Sequence, residues 1–382
     1  MSNRLWNTFR ELSDIYSPSY REREFCDALV KKLQGLSGNI IEDDAGSKIQ
    51  GNCGNLYCYI PGCLSGSPLL FSAHMDTVEP AKGKQAVLHA NGDITSAGNT
   101  ILGADDVAGI SIILEAITRL KEQNIPHQPI ELLFPVAEEK YGEGSSVFDY
   151  SMVKAKEAYV LDLSGAIGEA ANAAPTIMSF EIKIHGKAAH AGFAPKNGIH
   201  AIAVAANAIA RLTQGEPIPG LTFNIGRITG GEANNIVPSM CIISGEMRSL
   251  DHNAVLSYWD KVKTVFNAEA AKAGARIEIK HKVELRAYET PPDSPVVKRF
   301  LRACKKTGIT PNIHSTYGGS DLNNFVLHGI TGLVIACSMH EVHSPREYSN
   351  LHELENCVRL VMEMMADHEE VSDENTIAIS AD

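Results

Sequence analysis

An apolar run that ends in a histidine and an aspartate constrains the fold of this chain more than any other stretch. Residues 68–73 are apolar apart from one serine, and they lead directly into His74 and Asp76. Such a run predicts a buried strand whose end delivers an imidazole and a carboxylate to the edge of an α/β sheet, where ligands bind. An imidazole there suits a metal ion, and a neighbouring carboxylate suits the orientation of its ring. The alternative is a core histidine beside a solvated aspartate.

The same pattern recurs further along the chain. Residues 128–136 predict a strand that ends before Glu138 and Glu139, and residues 158–162 predict one that ends in Asp162. Neighbouring residues of an extended chain point to opposite sides, so one glutamate can bind a metal while the other faces a substrate. An exposed acidic loop is the alternative explanation of this pair.

Two further stretches add candidate ligands. A predicted helix opens with Asp105 and Asp106. The helix dipole favours carboxylates at that end, so a cap and a first-turn acid are the alternative to a functional pair. A predicted strand over residues 331–337 is followed by His340 and His343. Imidazoles and carboxylates are therefore expected at the ends of several elements of one α/β unit.

The length of 382 residues predicts two domains, since one hydrophobic core rarely serves a chain of this size. The sequence pattern changes near residues 171–175. After this point the predicted strands and helices follow the order β-α-β-β-α-β, which is the ferredoxin-like pattern. We therefore predict an α/β domain formed by residues 1–174 and 284–382, with a second domain inserted at 175–283. The stretch over residues 369–382 is acidic, and its last few residues are expected to fray.

Charge and composition argue against two classes of protein. The net charge of -12, without a basic stripe, is unfavourable for nucleic-acid binding. No run reaches the roughly 20 apolar residues of a membrane span, and residues 1–10 contain no signal-peptide core. The eight cysteines are scattered without a CxxC pair, which favours reduced thiols and a cytoplasmic protein. A zinc knuckle from Cys53, Cys58 and Cys63 is an open alternative.

Two histidines and three carboxylates form a ligand set for two divalent ions. They are His74, Asp105, Glu139, Asp162 and His343. Mixed nitrogen and oxygen ligands favour zinc, with cobalt or manganese as substitutes, and one carboxylate bridges the ions. Paired ions activate a water molecule and polarise a carbonyl, and Glu138 is then the group that takes the proton of that water.

Six motifs in this order resemble those of a known family. They are His74-Met-Asp-Thr, Gly103-Ala-Asp-Asp, Glu138-Glu139, the strand end at Asp162, Gly186-Lys-Ala-Ala-His190-Ala-Gly and His343. Over nearly its whole length the chain resembles the dinuclear-zinc metallopeptidases that include carboxypeptidase G, peptidase T, aminoacylase and succinyl-diaminopimelate desuccinylase. Its Gly-Ala-Asp-Asp and Gly-Gly-Ser-Asp segments are most similar to those of peptidase T. The resemblance implies a mixed-sheet zinc-exopeptidase catalytic domain with an inserted ferredoxin-like α+β domain that serves as lid and dimerisation domain.

For the metals, the resemblance implies one position for each ligand. His74 and Asp162 would hold one ion, whereas Glu139 and His343 would hold the other. Asp105 would bridge the two ions, and its peptide bond to the next residue is expected to be cis, a rare state for a residue other than proline.

Two more residues of the catalytic domain take roles from the resemblance. Asp76 would orient His74, and Glu138 would be the general base. His340 competes with His343 for the last ligand position. The acidic helix start soon after His343 favours that residue over its competitor.

In the inserted domain, the resemblance implies residues that bind substrate. His190 would bind the scissile carbonyl, often from a partner subunit, which implies a homodimer formed through this domain. Asn235 and Arg248 would clamp the carboxylate of a short peptide, with Gly319 of the Gly-Gly-Ser-Asp segment beside them. A surface-loop histidine and a strand-end surface arginine are the structural alternatives for His190 and Arg248.

Two departures from the family pattern bear on function. Ala137 replaces an aspartate before the glutamate pair, which bears on the pKa of the general base, and Tyr317 replaces an arginine of peptidase T, which bears on tripeptide specificity. We predict a cytoplasmic exopeptidase that removes the N-terminal residue of short peptides. The alternatives are a carboxypeptidase, a dipeptidase or a deacylase with the same chemistry, and a metal-free binding protein of the same fold.

Overall fold

Two large β-sheets with helices packed against them form the computed structural model, which describes residues 3–36 and 38–367. The acidic stretch at residues 369–382, whose last few residues we expect to fray, lies outside the described residues. Within the described ranges, no helix is long and apolar enough to cross a membrane.

The helices and strands follow the predicted order closely, with several short strands in addition. The helices are α1 (Asn3–Ser13), α2 (Arg23–Gln34), α3 (Ala45–Ile49), α4 (Ala104–Glu122), α5 (Glu143–Ser146), α6 (Ala201–Ala210), α7 (His252–Ala273), α8 (Pro295–Thr307), α9 (Leu322–Leu327) and α10 (Leu351–Ala366). The strands are β1 (Asn39–Glu42), β2 (Leu56–Ile60), β3 (Leu69–Ser72), β4 (Ala86–Leu88), β5 (Asp93–Ser96), β6 (Ile130–Phe134), β7 (Glu157–Leu163), β8 (Glu169–Ala174), β9 (Thr176–His185), β10 (Gly215–Ile218), β11 (Leu221–Gly230), β12 (Met240–Ser249), β13 (Arg276–Leu285), β14 (Tyr288–Glu289), β15 (Asn312–Ser315), β16 (Thr331–Ala336) and β17 (Tyr348–Asn350).

The first sheet has the strand order β1-β2-β6-β3-β7-β16-β8-β14, with β15 beside β8. Its central strands β6, β3, β7 and β16 are parallel, whereas β1 with β2 and β8 with β14 are antiparallel. The sheet is therefore mixed, as predicted. Because parallel strands end at the same edge, the residues that follow β3, β6, β7 and β16 meet there.

Both faces of the first sheet are covered. Phe71 on β3 faces a core that includes residues of α1, α4, α8 and α10, and its neighbour Leu70 faces a second core that contains Tyr150 and Phe325. Strands buried on both faces have continuous apolar sequences. This burial on both faces explains why the central strands are apolar runs in the amino-acid sequence.

The second sheet has the strand order β10-β11-β12-β9-β13, with antiparallel pairs throughout. Residues of α6 and α7 pack on it, and Phe180, Trp259 and Phe266 lie in the core between sheet and helices. The ferredoxin-like order is confirmed, with β10 as an additional short edge strand. The sheet runs from Thr176 to Leu285, while the domain boundaries stay a prediction.

A three-stranded sheet in the order β17-β5-β4 holds the loop that carries His343. Tyr348 pairs with Thr95, and β17 leads directly into α10. Strands β4 and β5 form a short hairpin. Strand β17 could not be predicted, because its three residues carry too little periodicity to indicate a strand.

Candidate metal centre and active site

Six ionisable side chains meet at the edge where the parallel strands end, and we call them the carboxylate–histidine cluster. They are His74 after β3, Asp105 in α4, Glu138 and Glu139 after β6, Asp162 in β7 and His343 after β16. The Nε2 atom of His74 lies 3.8 Å from Asp162 Oδ1 and 4.0 Å from Glu138 Oε2. The edge of the sheet therefore brings the five predicted ligands and the predicted base together.

Asp105 lies between the two imidazoles of the cluster. Its Oδ1 is 3.0 Å from Nε2 of His74, and its Oδ2 is 3.2 Å from Nε2 of His343, which also lies 3.0 Å from Glu139 Oε1. The peptide bond between Asp105 and Asp106 is cis, as predicted, and both residues have non-helical backbone angles. Asp105 does not cap α4, so the capping alternative for this residue is wrong.

Two overlapping groups in the cluster have ligand atoms close enough to hold cations. In one group His74 lies with Glu138 and Asp162, and in the other it lies with Asp105 and Glu139, in each case within 4.8 Å. Neither of these groups, found within residues 3–36 and 38–367, contains a cysteine. The geometry therefore favours the cluster over the alternative zinc knuckle.

Asp76 holds three other residues of the site in place. Its carbonyl oxygen lies 2.9 Å from Nδ1 of His74, whereas its carboxylate lies 3.4 Å from that atom. The carboxylate accepts hydrogen bonds from the backbone N–H groups of Glu138 and Glu139 and from the Ser19 hydroxyl, at 2.9, 3.2 and 2.7 Å. The role of Asp76 in orienting His74 stays a prediction. Its carbonyl makes the shorter contact with His74, because the turn with the glutamate pair engages its carboxylate.

Other buried carboxylates hold the neighbouring turns, and sequence reasoning missed their roles. Glu22 accepts hydrogen bonds from the backbone N–H groups of Tyr20 and Ala137, at 2.9 and 3.0 Å. Asp106 accepts one from the backbone N–H of His74 at 3.2 Å. Ala137 has a φ of 50°, a left-handed conformation that is uncommon for alanine. The hydrogen bond that Ala137 donates to Glu22 thus supports a strained residue directly before the glutamate pair.

Burial and mutual repulsion shift the proton affinities in the cluster. Burial and then repulsion from Asp162 raise the pKa of Glu138 well above its usual range, and burial and then repulsion from Asp105 raise the pKa of Asp162. Hydrogen bonds to Asp105 and Glu139 raise the pKa of His343 to about 11. A divalent cation among these groups would relieve the repulsion between the carboxylates. The donor set therefore fits such ions.

A cavity of about 370 Å³ opens beside the cluster. Besides cluster residues, its walls include Tyr141, Ile177, Arg248, Leu285 and Gly319. A Cβ atom on Gly319 would lie 2.3 Å from Cδ1 of Leu285, so a side chain at this position would require the Leu285 side chain to move. Two of the predicted substrate-binding residues, Arg248 and Gly319, thus lie at the cavity.

Hydrogen bonds to two partners hold Arg248 at the cavity wall. Its Nε donates to Glu246 Oε1 at 2.8 Å, and its Nη1 donates to the backbone oxygen of Tyr317 at 2.9 Å. The hydroxyl of Tyr141 donates to the other oxygen of Glu246 at 3.3 Å. Arg248 therefore connects the second sheet with the loop that leads into α9.

His190 and Asn235 lie next to each other on exposed loops. The backbone N–H of Ala191 donates to the carbonyl of Asn235 at 2.9 Å, and the ring of His190 stacks on Phe193 with centroids 4.3 Å apart. Nδ1 of His190 accepts from the backbone N–H of Phe193 at 3.1 Å, which leaves Nε2 as the N–H donor of a neutral ring. Among the described residues, neither His190 nor Asn235 lines the cavity.

His340, the competitor of His343, is engaged by other residues. Its Nε2 lies 2.6 Å from Glu353 Oε2, and its ring stacks on Tyr348. These contacts hold His340 against α10 and β17, whereas His343 contacts Asp105.

Comparison with known protein families adds two matches. Residues 172–274 match the M20 model of the peptidase dimerisation domain, and residues 55–206 match the model of peptidase family M28. The uncharacterized protein YqjE of Bacillus subtilis is 36% identical over 359 residues, which cover 94% of this chain and 96% of that protein.

Two solved peptidase structures are similar over nearly the whole chain. The aminopeptidase PepT of Bacillus cereus is 38% identical with a TM-score of 0.88, and the match covers 95% of this chain and 97% of that one. A tripeptidase of Staphylococcus aureus is 32% identical with a TM-score of 0.91, and the match covers 95% of this chain and 97% of that one. The chain belongs to the M20 family of metallopeptidases, close to peptidase T.

Proposed function

We propose that this chain is a dinuclear metal-dependent exopeptidase that removes the N-terminal residue from short peptides, tripeptides among them. The observation that carries the proposal is the position of Asp105 between His74 and His343, beside a cavity that Arg248 lines. A carboxylate that faces two imidazoles is suited to bridge two ions. The similarity to an aminopeptidase and a tripeptidase supports the choice of substrate.

Each ion would have ligands of its own and share Asp105. We assign His74 and Asp162 to one ion, and Glu139 and His343 to the other. The nitrogen and oxygen donors favour zinc, with cobalt or manganese as substitutes. Two such ions supply Lewis-acid polarisation of the scissile carbonyl and of the attacking water.

Glu138 is the proposed general base. Both glutamates of the pair line the cavity, but Glu139 contacts His343 and is therefore assigned to the metal. The backbone N–H of Glu138 donates a hydrogen bond to Asp76, which fixes Glu138 at the cavity wall. Glu138 would take a proton from the attacking water and deliver it to the leaving nitrogen.

Arg248 would bind the C-terminal carboxylate of a short peptide. Its guanidinium suits two parallel hydrogen bonds to a carboxylate, and it already binds the carboxylate of Glu246. The substrate's carboxylate would replace that of Glu246. Gly319 leaves this part of the cavity free of a side chain, and Asn235 would be a further donor once it reaches the substrate.

His190 would bind the scissile carbonyl of a substrate held by a second copy of this chain. It lies on an exposed loop outside its own cavity and offers an N–H at Nε2. Such a donor stabilises the negative charge that develops on the carbonyl oxygen. The match of residues 172–274 to a peptidase dimerisation domain supports a homodimer formed through this region.

We also propose that the enzyme acts in the cytoplasm on peptides rather than at nucleic acids or membranes. The eight cysteines are unpaired, which is usual in a reducing compartment. The net charge of -12 is unfavourable for binding nucleic acids.

Hydrolysis of trileucine, compared with its N-acetylated and C-amidated forms by mass spectrometry, tests the proposed function. We expect the free tripeptide to lose its N-terminal residue and the N-acetylated form to resist. A chelator should abolish the activity, and added zinc should restore it. Release of the C-terminal residue would instead identify a carboxypeptidase, and release of the acetyl group a deacylase. A protein without bound metal or activity would match the binding-protein alternative.

A further inference from the structure

A buried glutamate holds the backbone that leads into Asp105. One carboxylate oxygen of Glu347 accepts hydrogen bonds from the backbone N–H groups of Leu102 and Gly103, both at 2.7 Å. The other accepts one from the backbone N–H of Asp105 at 3.0 Å. The side chain is engaged at both oxygens, and Glu347 is only 2% exposed. Glu347 is thus a buried acidic side chain whose hydrogen bonds all define the path of one loop.

The position of Glu347 in the sequence joins this loop to a second one. It lies four residues after His343, in the loop between β16 and β17. Its own N–H donates to the carbonyl of Ser344 at 3.0 Å, which closes a turn over residues 344–347, directly after His343. Asp105 and His343 are therefore tied through Glu347 as well as through their direct contact.

A buried lysine accompanies Glu347. Lys84 is 1% exposed, and its Nζ makes no hydrogen bond within the described residues. A Cβ atom on Gly103 would lie 2.8 Å from that Nζ, so the ammonium group packs directly against the loop that Glu347 binds. A buried carboxylate is costly without a compensating charge, and Lys84 is the cation placed to provide it.

We propose that Glu347, with Lys84 as its counter-charge, is a positioning residue that fixes Asp105 relative to His343 and thereby sets the affinity for divalent metal. The inference rests on the proposed function, in which both residues are ligands. Ligands held in place by outer hydrogen-bond partners bind metal more tightly, because less freedom is lost on binding. Glu347 touches neither the substrate nor the metal in this account, so its effect is expected in metal affinity first.

Zinc affinity of the Glu347→Gln variant, titrated against a chromophoric chelator, tests this role. Glutamine places an N–H₂ donor against backbone N–H groups that need an acceptor, and we expect zinc to bind about 10–100-fold more weakly. The matched control is Glu341→Gln in the same loop, because Glu341 is about half exposed and pairs with Arg346. This control should bind zinc like the wild type. A lowered Tm of Glu347→Gln with unchanged zinc affinity would overturn the proposal.

Two further measurements keep the result clear. If Glu347→Gln does not fold, Glu347→Asp replaces it as the test variant. Aspartate keeps the carboxylate but is too short to reach all three N–H groups, so this variant should also bind zinc more weakly than the wild type. A zinc affinity equal to that of the wild type would contradict the proposal. Lys84→Met should change zinc affinity less in the Glu347→Gln background than in the wild type, and equal changes would remove Lys84 from the pair. A wild type that binds no zinc would contradict the proposed function itself.

Discussion

The metal centre and the substrate-binding residues differ in how completely one chain assembles them. The carboxylate–histidine cluster draws its side chains from strand ends of one sheet and from the start of α4, and buried carboxylates hold its loops. The second sheet brings Arg248 to the cavity but leaves His190 and Asn235 on exposed loops outside it. Neighbouring strands fix the position of a strand end, whereas an exposed loop takes its final position from what packs on it. We therefore infer that one chain forms the metal centre and that a second chain completes substrate recognition.

Among the substrate-binding residues, removal of the His190 imidazole should lower activity the most. We expect kcat of His190→Ala to fall by about 10²–10³-fold, as when one donor to a developing oxyanion is lost, with unchanged metal content. Steady-state kinetics and elemental analysis measure both. His281→Ala, which removes an exposed histidine of β13, should leave kcat and metal content as in the wild type.

Mixing inactive chains separates donation within a chain from donation across a dimer. If His190 serves the partner's site, His190→Ala and Glu138→Gln chains should regain roughly a quarter of the wild-type activity, because half of randomly paired dimers are mixed and each contains one intact site. No recovery after proven subunit exchange would place His190 in the site of its own chain.

Arg248 is a charged residue of the second sheet that already lines the cavity, and its removal should have a smaller effect. Loss of a charge-assisted clamp costs about 1.5–3 kcal/mol, so KM of Arg248→Ala for a free tripeptide should rise about 10–100-fold. KM for the C-amidated peptide should change little. Arg227→Ala, on exposed β11, is the matched control. Equal losses for both peptides would show that Arg248 supports the structure instead of binding the carboxylate.

The central strands and the main helices could be predicted because their sequences record their burial. Leu69–Ser72 and Ile130–Phe134 are buried on both faces and read as apolar runs. Tyr348–Asn350 and Gly215–Ile218 are short and were missed, since pairing with a neighbour, rather than a periodic sequence, makes them strands. Ser19 lies before α2 and donates to Asp76, a distant partner that its local sequence does not indicate.

The cluster could be predicted because each of its members directly ends or opens an element. The supporting contacts could not, since they join distant parts of the chain: Glu22 and Ala137 are 115 residues apart, and Glu347 and Leu102 are 245 apart. Nothing in the local sequence of Glu22 or Glu347 indicates a partner at that distance. The final position of His190 is beyond sequence reasoning for another reason, because it depends on a second chain in our account.

The metal content of Glu138→Gln and Glu139→Gln, measured by elemental analysis beside zinc-rescued kcat, tests the central claim most directly. We predict that Glu138→Gln keeps about two ions per chain while its kcat falls by about 10²–10⁴-fold, because only the proton acceptor is lost. Glu139→Gln should bind one ion less tightly and regain part of its activity in excess zinc, because an anionic ligand is lost. The opposite metal behaviour would exchange the two roles. Full metal content and full activity in both variants would contradict the metallopeptidase account of this cluster.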